Sequence, residues 1–313
     1  MTAPVNISSE QILVQPPLNE QPDGAAHDRS NEDTFSTTSR LQRFRSSRFA
    51  APTVILALAW LTVILVWTLA PGLVTSGDPI SGTVADKLQP PSGAHWFGTD
   101  QLGRDIFTRV VHGTGLTVKA VLIAVGLGFA VGGALGATAG FIGGWVDAVL
   151  MRFADVLLSI PSLLLSLAVI VALGFGTVNV AIAVGIGAVA SIARVMRSEV
   201  LKVRTNLYID AAVASGATRW RVLWRHVLPN SLGPVIVLVV LEFGTAVLAI
   251  SSLSFLGYGA APPTPEWGAL VSQGRDYLAA QGWISTIPGL VITLTVLSVN
   301  RLSNALNTSG GAS

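Results

Sequence analysis

RVMRSEVLKVRTNLYIDAAVASGATRWRVLWRHVLPN, residues 194–230, is the one long basic, polar segment set between apolar runs. From Ser198 to Ser215 it has no Gly or Pro, so the apolar span before it is expected to continue outward as a helix. Tyr208 to Ala214 is rich in alanine, a strong helix former with little bulk. Gly216 supplies a stop and a turn, because glycine tolerates left-handed backbone angles. Thr218 is placed to N-cap a second short helix, Arg219 to Val227, which Pro229 is expected to end by its ring clash. Trp220, Leu223, Trp224 and Val227 fall at i, i+3, i+4, i+7 and predict one apolar stripe, with Arg219, Arg221 and Arg225 mostly off it. A short helix of this kind across the base of a membrane bundle can enter a groove on a soluble partner. The alternative is an amphipathic loop resting on anionic lipid.

The composition explains why a membrane enters the argument. Of 313 residues, 51% are hydrophobic and 12% charged, about half the charged fraction of soluble domains. Zero cysteines exclude disulfides, Cys-ligated zinc, iron–sulfur clusters and thiol catalysis in this chain. Helical spans of about 20 residues cross roughly 30 Å of hydrocarbon. Six apolar runs qualify: Ala51–Ala70, Ala120–Ile142, Val156–Gly174, Val178–Ala193, Leu232–Phe255 and Leu278–Asn300. The third and fourth are separated at Gly174-Phe175-Gly176-Thr177, where two glycines permit a tight turn.

Residues 1–39 are polar, acidic and aperiodic, the pattern of a disordered tail, and do not read as a secretory signal. Arg40, Arg43, Arg45 and Arg48 then form a basic collar suited to anionic headgroups. With six spans and the N-terminus inside, 14 of the 19 Lys and Arg fall on the cytoplasmic side. This distribution predicts both termini in the cytoplasm, together with the 194–230 segment. The expected fold is therefore an all-α integral membrane protein of six transmembrane helices. Its organisation reads as a tail (1–39), a collar with first span and external segment (40–119), a core of five spans (120–306) and a short C-terminal tail (307–313).

Glycines 128, 132, 136, 140 and 144 recur every four residues in the second span, a smooth ridge for close helix approach within the chain or against a partner. Pro161 and Pro288 are candidate kinks. Two external segments mix aromatics, turn formers and charges: His95–Asp105, and Pro262–Gly268 followed by Gly274–Tyr277. Asp100, Arg104, Asp105, Glu266, Trp267, Arg275 and Asp276 are the candidate residues there for an outer gate or docking face. Interfacial anchoring by tryptophan and local ion pairs are the competing reading.

Asp210-Ala211-Ala212, then Gly216, then Leu228-Pro229, resembles the EAA loop of ABC-importer permeases. Asp210 stands where that family has Glu, and His226 where it has Ile. HWFGTDQLGRDIFTRVVHG, DVLLSIPSLLL, RHVLPN, SFLGYG and PPTPEWG extend the likeness over residues 40–306 to the C-type permease subunit of dipeptide, oligopeptide and nickel importers. Ile250-Ser251-Ser252 departs from the Glu-Ala-Ala common in relatives at that place. The resemblance implies a prokaryotic cytoplasmic-membrane protein that moves di- or oligopeptides and partners a second, B-type permease, two cytoplasmic ATPases and an external solute-binding protein. It implies further that Tyr208, Asp210, Ala211, Ala212, Gly216, Arg219, Leu228 and Pro229 couple to the ATPases. ATP and Mg would be bound by those partners, with no cofactor, metal or nucleic acid bound here. Nickel-chelate or glutathione import by the same architecture is the alternative; a standalone secondary transporter or channel is the rival of another class.

Two residue-level features complete the reading. Glu242 lies inside the fifth span, where a carboxylate must face a pore, water or a partner, or be protonated; it is a candidate pore-lining residue that would bind a peptide amino group, and a buried hydrogen bond to another helix is the favoured alternative. No glycine-rich loop ending in Gly-Lys-Ser/Thr is present, and the histidines at 27, 95, 112 and 226 form no HExxH pair, so an enzyme is not expected.

Overall fold

The computed structural model describes residues 52–310, entirely helical and connecting in character. The 1–39 tail, the collar arginines and residues 311–313 lie outside the described residues. Helix α1 is Pro52–Leu69, α2 is Ile106–Ile142, α3 is Gly144–Ser159 and α4 is Ser162–Leu173. They are followed by α5, Thr177–Arg204, α6, Leu207–Ala214, and α7, Arg219–Phe255. The short α8, Trp267–Gly274, and α9, Trp283–Gly310, complete the order. Five of these are long and apolar enough to cross a membrane, and the count becomes six if α3 and α4 together make one broken span.

The third expected span is the main correction. Val156–Gly174 is not one helix: α3 and α4 meet at 96°, and Gly143–Asp155, expected as a loop, is mostly helix. Pro161 causes the break, because its ring pushes the preceding residue away from helical angles, and Ile160 sits at φ −93, ψ 128. The glycine turn between α4 and α5 is as expected, with φ +91 at Gly174 and +123 at Gly176. By contrast Pro234 and Pro288 lie inside α7 and α9, which run on through them.

Other boundaries shift outward. Helix α2 begins 14 residues before Ala120, capped by Asp105 Oδ2 accepting from Thr108 N at 2.8 Å. Helix α9 starts at Trp283 rather than Leu278 and continues past residue 306.

Helix α5 is the centre of the bundle and touches α2, α3, α4 and α7. Its contact with α2 is made by the glycine ridge. A Cβ on Gly132 would sit 2.5 Å from Val189 O, and one on Gly136 would collide with Ala193 O, so backbone meets backbone. The ridge thus packs within the chain. Gly144 is not part of it, since α2 ends at Ile142 and Gly144 begins α3. Arg204, the last residue of α5, donates from Nη1 to Gly140 O at 3.3 Å and Phe141 O at 3.1 Å, satisfying carbonyls at the end of α2.

Both described ends of the chain lie at the end of the bundle where α5 runs out. Arg301 Nε donates to Thr53 Oγ1 at 3.0 Å, and Ser303 Oγ to Val237 O at 3.1 Å at the middle of α7. Trp60 Nε1 to Thr295 Oγ1 at 3.1 Å joins α1 to α9 midway.

Candidate functional site

Three places in the bundle hold the sequence-derived candidates: an elbow at one end, a cap at the other, and a cavity between. The elbow begins where α5 stops at Arg204. The helix was expected to run to Ser215, but Thr205 Oγ1 bonds back to Lys202 O at 2.9 Å and Asn206 takes extended angles, φ −79 and ψ 140. Such short polar side chains compete with the helical ladder. Helix α6 then ends in a Schellman turn. Gly216 has φ +85, its N–H donates to Val213 O at 2.9 Å, and Ala217 N–H donates to Ala212 O at 3.1 Å. Thr218 caps the next helix by accepting from Arg221 N at 3.4 Å.

That next helix is not short. It passes through Leu228-Pro229 into the membrane span, so Pro229 does not end it. Leu223–Val227 forms a π-turn in which Leu228 N–H reaches Leu223 O, five residues back. Pro229 follows directly, where a missing donor does least harm, and Asn230 Nδ2 bonds His226 O at 2.6 Å. The extra residue also divides the expected stripe. Leu223 and Val227 are buried, while Trp220 and Trp224 are 67% and 61% exposed and stack edge to face at 6.2 Å. The two tryptophans edge an apolar groove floored by Gly133, Ala137 and Leu232.

The elbow is anchored from within. Ile209, Val222, Leu223 and Val227 share a core with Val200 and Val203 of α5, and Ala212 and Leu228 pack against it. Ala212 therefore faces this chain's own core, whereas Tyr208, Asp210, Ala211, Gly216, Arg219 and Pro229 are exposed. Asp210 and Arg219 line one cleft with Arg204, beneath Phe141. Leu207, 85% exposed, and Val213, 53% exposed, extend the apolar outer face, and the sequence reading passed over both. A large apolar residue directly after the Asn206 break is the signal that could have found Leu207.

The two segments expected on the outside, His95–Asp105 and Pro262–Tyr277, pack on each other. Asp100 is 3% exposed; its Oδ1 accepts from Leu102 N and Arg104 N, and its Oδ2 from Arg104 Nε at 2.7 Å. Arg109, fully buried, donates to Pro79 O at 3.0 Å and to Gln273 Oε1 at 3.1 Å, with Nε 3.7 Å from Asp100 Oδ2. Glu266 and Trp267 are fully buried as well. Glu266 accepts from Ser254 Oγ at 2.5 Å and Ala260 N at 2.9 Å, while Trp267 Nε1 donates to Val110 O at 3.2 Å. Burial pushes the Glu266 carboxyl above its ordinary value, against the opposing pull of those two hydrogen bonds.

Asp100, Arg104, Glu266 and Trp267 therefore build the interior of a cap and present no contact face, which corrects the docking expectation for these four. Only Arg275 and Asp276, an exposed pair at 3.3 Å, and half-buried Asp105 reach the surface. His95 and His112 are held by Asp105 and by Thr108 O, and no cluster of metal-binding side chains occurs among the described residues.

Between these ends Glu242, in the second half of α7, lines a cavity of about 240 Å³ with Ser162, Ser166, Ser191 and Thr245. Its neighbours come from α2, α4, α5 and α7, so the cavity lies where the broken span starts again.

Comparison with known proteins agrees with this architecture. Residues 132–309 match the family model described as the binding-protein-dependent transport system inner membrane component. A probable D,D-dipeptide transport system permease of Escherichia coli is 40% identical over 81% of this chain and 85% of its own. A dipeptide transport system permease of Alkalihalophilus pseudofirmus is 41% identical, covering 78% and 80%. A glutathione transport system permease of Pectobacterium atrosepticum is 41% identical, covering 71% and 74%. Among solved structures, an inward-facing methionine ABC transporter overlays with TM-score 0.50 at 19% identity, over 63% of this chain and 96% of that one, a likeness of fold. The chain belongs to the family of binding-protein-dependent transport system inner membrane components.

Proposed function

We propose that this chain is the permease subunit of an ATP-driven importer that carries di- and oligopeptides across the cytoplasmic membrane. Relatives named for dipeptide and glutathione transport support the substrate class, and glutathione is itself a tripeptide. The observation that carries the mechanism is the elbow, anchored on its inner face and bare on its outer one. Two cytoplasmic ATPases would bind ATP and Mg and seat the outer face, with Leu207, Tyr208, Ala211 and Val213 as apolar contacts and Asp210 and Arg219 as polar ones. Gly216 sets the angle between α6 and α7. Since α7 runs unbroken for 37 residues, about 55 Å, a push on the elbow moves it as a rod. The core of Ile209, Leu223 and Val203 passes the same push to α5. Both helices line the Glu242 cavity, so motion at one end changes the path in the middle.

In this reading the elbow end is cytoplasmic, which sets both termini there. A second, B-type permease completes the pathway, and an external solute-binding protein delivers substrate to the cap end. Purification of the complex from native membranes, with mass spectrometry of co-eluting proteins, tests it. A second permease, two ATPases and a peptide-loaded binding protein are expected. A lone homo-oligomer would overturn the reading in favour of a secondary transporter, and a nickel chelate in the binding protein would change the substrate.

A further inference from the structure

We propose that the cavity beside Glu242 is a way-station for a primary ammonium group, the amino terminus of a peptide in transit; this rests on the importer reading above. Glu242 is the single titratable residue in the lining. It sits near the middle of the α7 segment Leu228–Phe255, about 20 Å from either end. One carboxylate oxygen, Oε2, accepts from Thr245 Oγ1 at 2.8 Å. Among the described residues no Lys, Arg or His pairs with the group. An unpaired acid at this depth calls for a cation from outside the chain.

The rest of the wall fits that cation. Ser162, Ser166 and Ser191 add three hydroxyls from α4 and α5, and none of them forms a side-chain hydrogen bond among the described residues. Ser166 is 3% exposed and lines the cavity from α4. An ammonium group has three donors and no acceptor, and takes one carboxylate and two hydroxyl oxygens. The remaining lining is apolar, with Val125, Leu163 and Val184 beside the smaller Ala124, Gly187 and Ala246.

The broken span places polar backbone beside the same space. Backbone is left unpaired at membrane depth only where protein buries it or water reaches it. Helix α4 restarts at Ser162, directly on this cavity, after the 96° bend. The acid and the three serine hydroxyls line one space.

The test uses the complete complex in liposomes with its loaded binding protein, and follows ATP-driven uptake of Ala-Ala-Ala. Glu242→Gln should lower maximal uptake tenfold or more, and Glu242→Asp should keep at least a third of it. ATP hydrolysis stimulated by the loaded binding protein should be unchanged in both, which a merely structural role would not leave intact. Propionyl-Ala-Ala lacks the amino group. Supplied at concentrations that load the isolated binding protein equally, it should cross the wild-type complex several-fold more slowly than Ala-Ala-Ala and be insensitive to Glu242→Gln. Uptake of Ala-Ala-Ala by Glu242→Gln at the wild-type rate overturns the way-station, as does equal transport of the two peptides by the wild type. Joint loss of uptake and hydrolysis in Glu242→Gln also overturns it. Failure of the wild-type complex to import any peptide would instead bring down the importer reading, and this inference with it.

Discussion

Arg109 Nη2 donates to Gln273 Oε1 at 3.1 Å across 164 positions of sequence, fastening the start of α2 to α8 inside the cap. Gln273 also accepts from Arg104 at 3.4 Å, so one amide oxygen serves two buried guanidiniums that share a single carboxylate, Asp100. Gln273→Ala should destabilise the protein by about 1–3 kcal/mol, the cost of buried donors left unpaired. Asp100→Asn should cost more, about 3–5 kcal/mol, because two buried cations lose their counter-charge. Asp276→Asn, on the exposed pair, should change stability by no more than about 0.5 kcal/mol. Thermal unfolding of the detergent-solubilised complex ranks the three.

The ridge on α2 makes a paired prediction. Gly136→Leu drives a side chain into the α5 backbone and should cost about 1–3 kcal/mol or deplete the protein from the membrane. Gly126→Leu, ten positions away with nothing within 4 Å of its Cβ, should be tolerated. Immunoblotting of isolated membranes distinguishes them.

Glu266 should make stability depend on pH. Its folded value is raised above 4.5 by burial, so the protonated form is favoured in the folded state. That contribution is fully present below the ordinary carboxylate value and is lost as pH rises through the raised one. The unfolding temperature of the wild type should fall over that window, and Glu266→Gln should flatten the fall. Calorimetry of the two proteins from pH 4 to 7 checks it.

At the elbow, Gly216→Pro removes both the φ of +85 and the N–H that donates to Val213 O. The protein should remain in the membrane, because Gly216 is exposed and touches no core residue. ATP hydrolysis by the complex should persist while uptake falls at least tenfold. The ratio of peptide imported to ATP consumed measures this directly.

The elbow shows how far local reading reaches. The turn at Gly216 and the cap at Thr218 depend on neighbours within a few positions, and both were legible. The passage through Pro229 was not, because the π-turn at Leu223–Val227 is stabilised by Val222, Leu223 and Val227 packing on α5. Proline's ring forbids an ordinary helical ladder at that place and says nothing about a wider one. Glu242 was legible as an anomaly in an apolar run, but its company of serines came from helices up to 80 positions away. In the two segments that form the cap, the charges marked organisation correctly. Whether they faced water or one another was a question of burial, and no spacing along the chain contains it.

The amino-acid sequence alone determined the solvent this protein lives in and the number of times it approaches crossing it, since 51% apolar composition in runs of about 20 leaves few other choices. It also determined the places where the chain turns on glycine, because those depend on the backbone freedom of one residue. Tertiary structure decided which way each polar side chain points. It carried α7 through Pro229, laid the glycine ridge on α5 and sealed Asp100 and Glu266 inside. These outcomes are set by contacts between distant segments, whose energies no local pattern records.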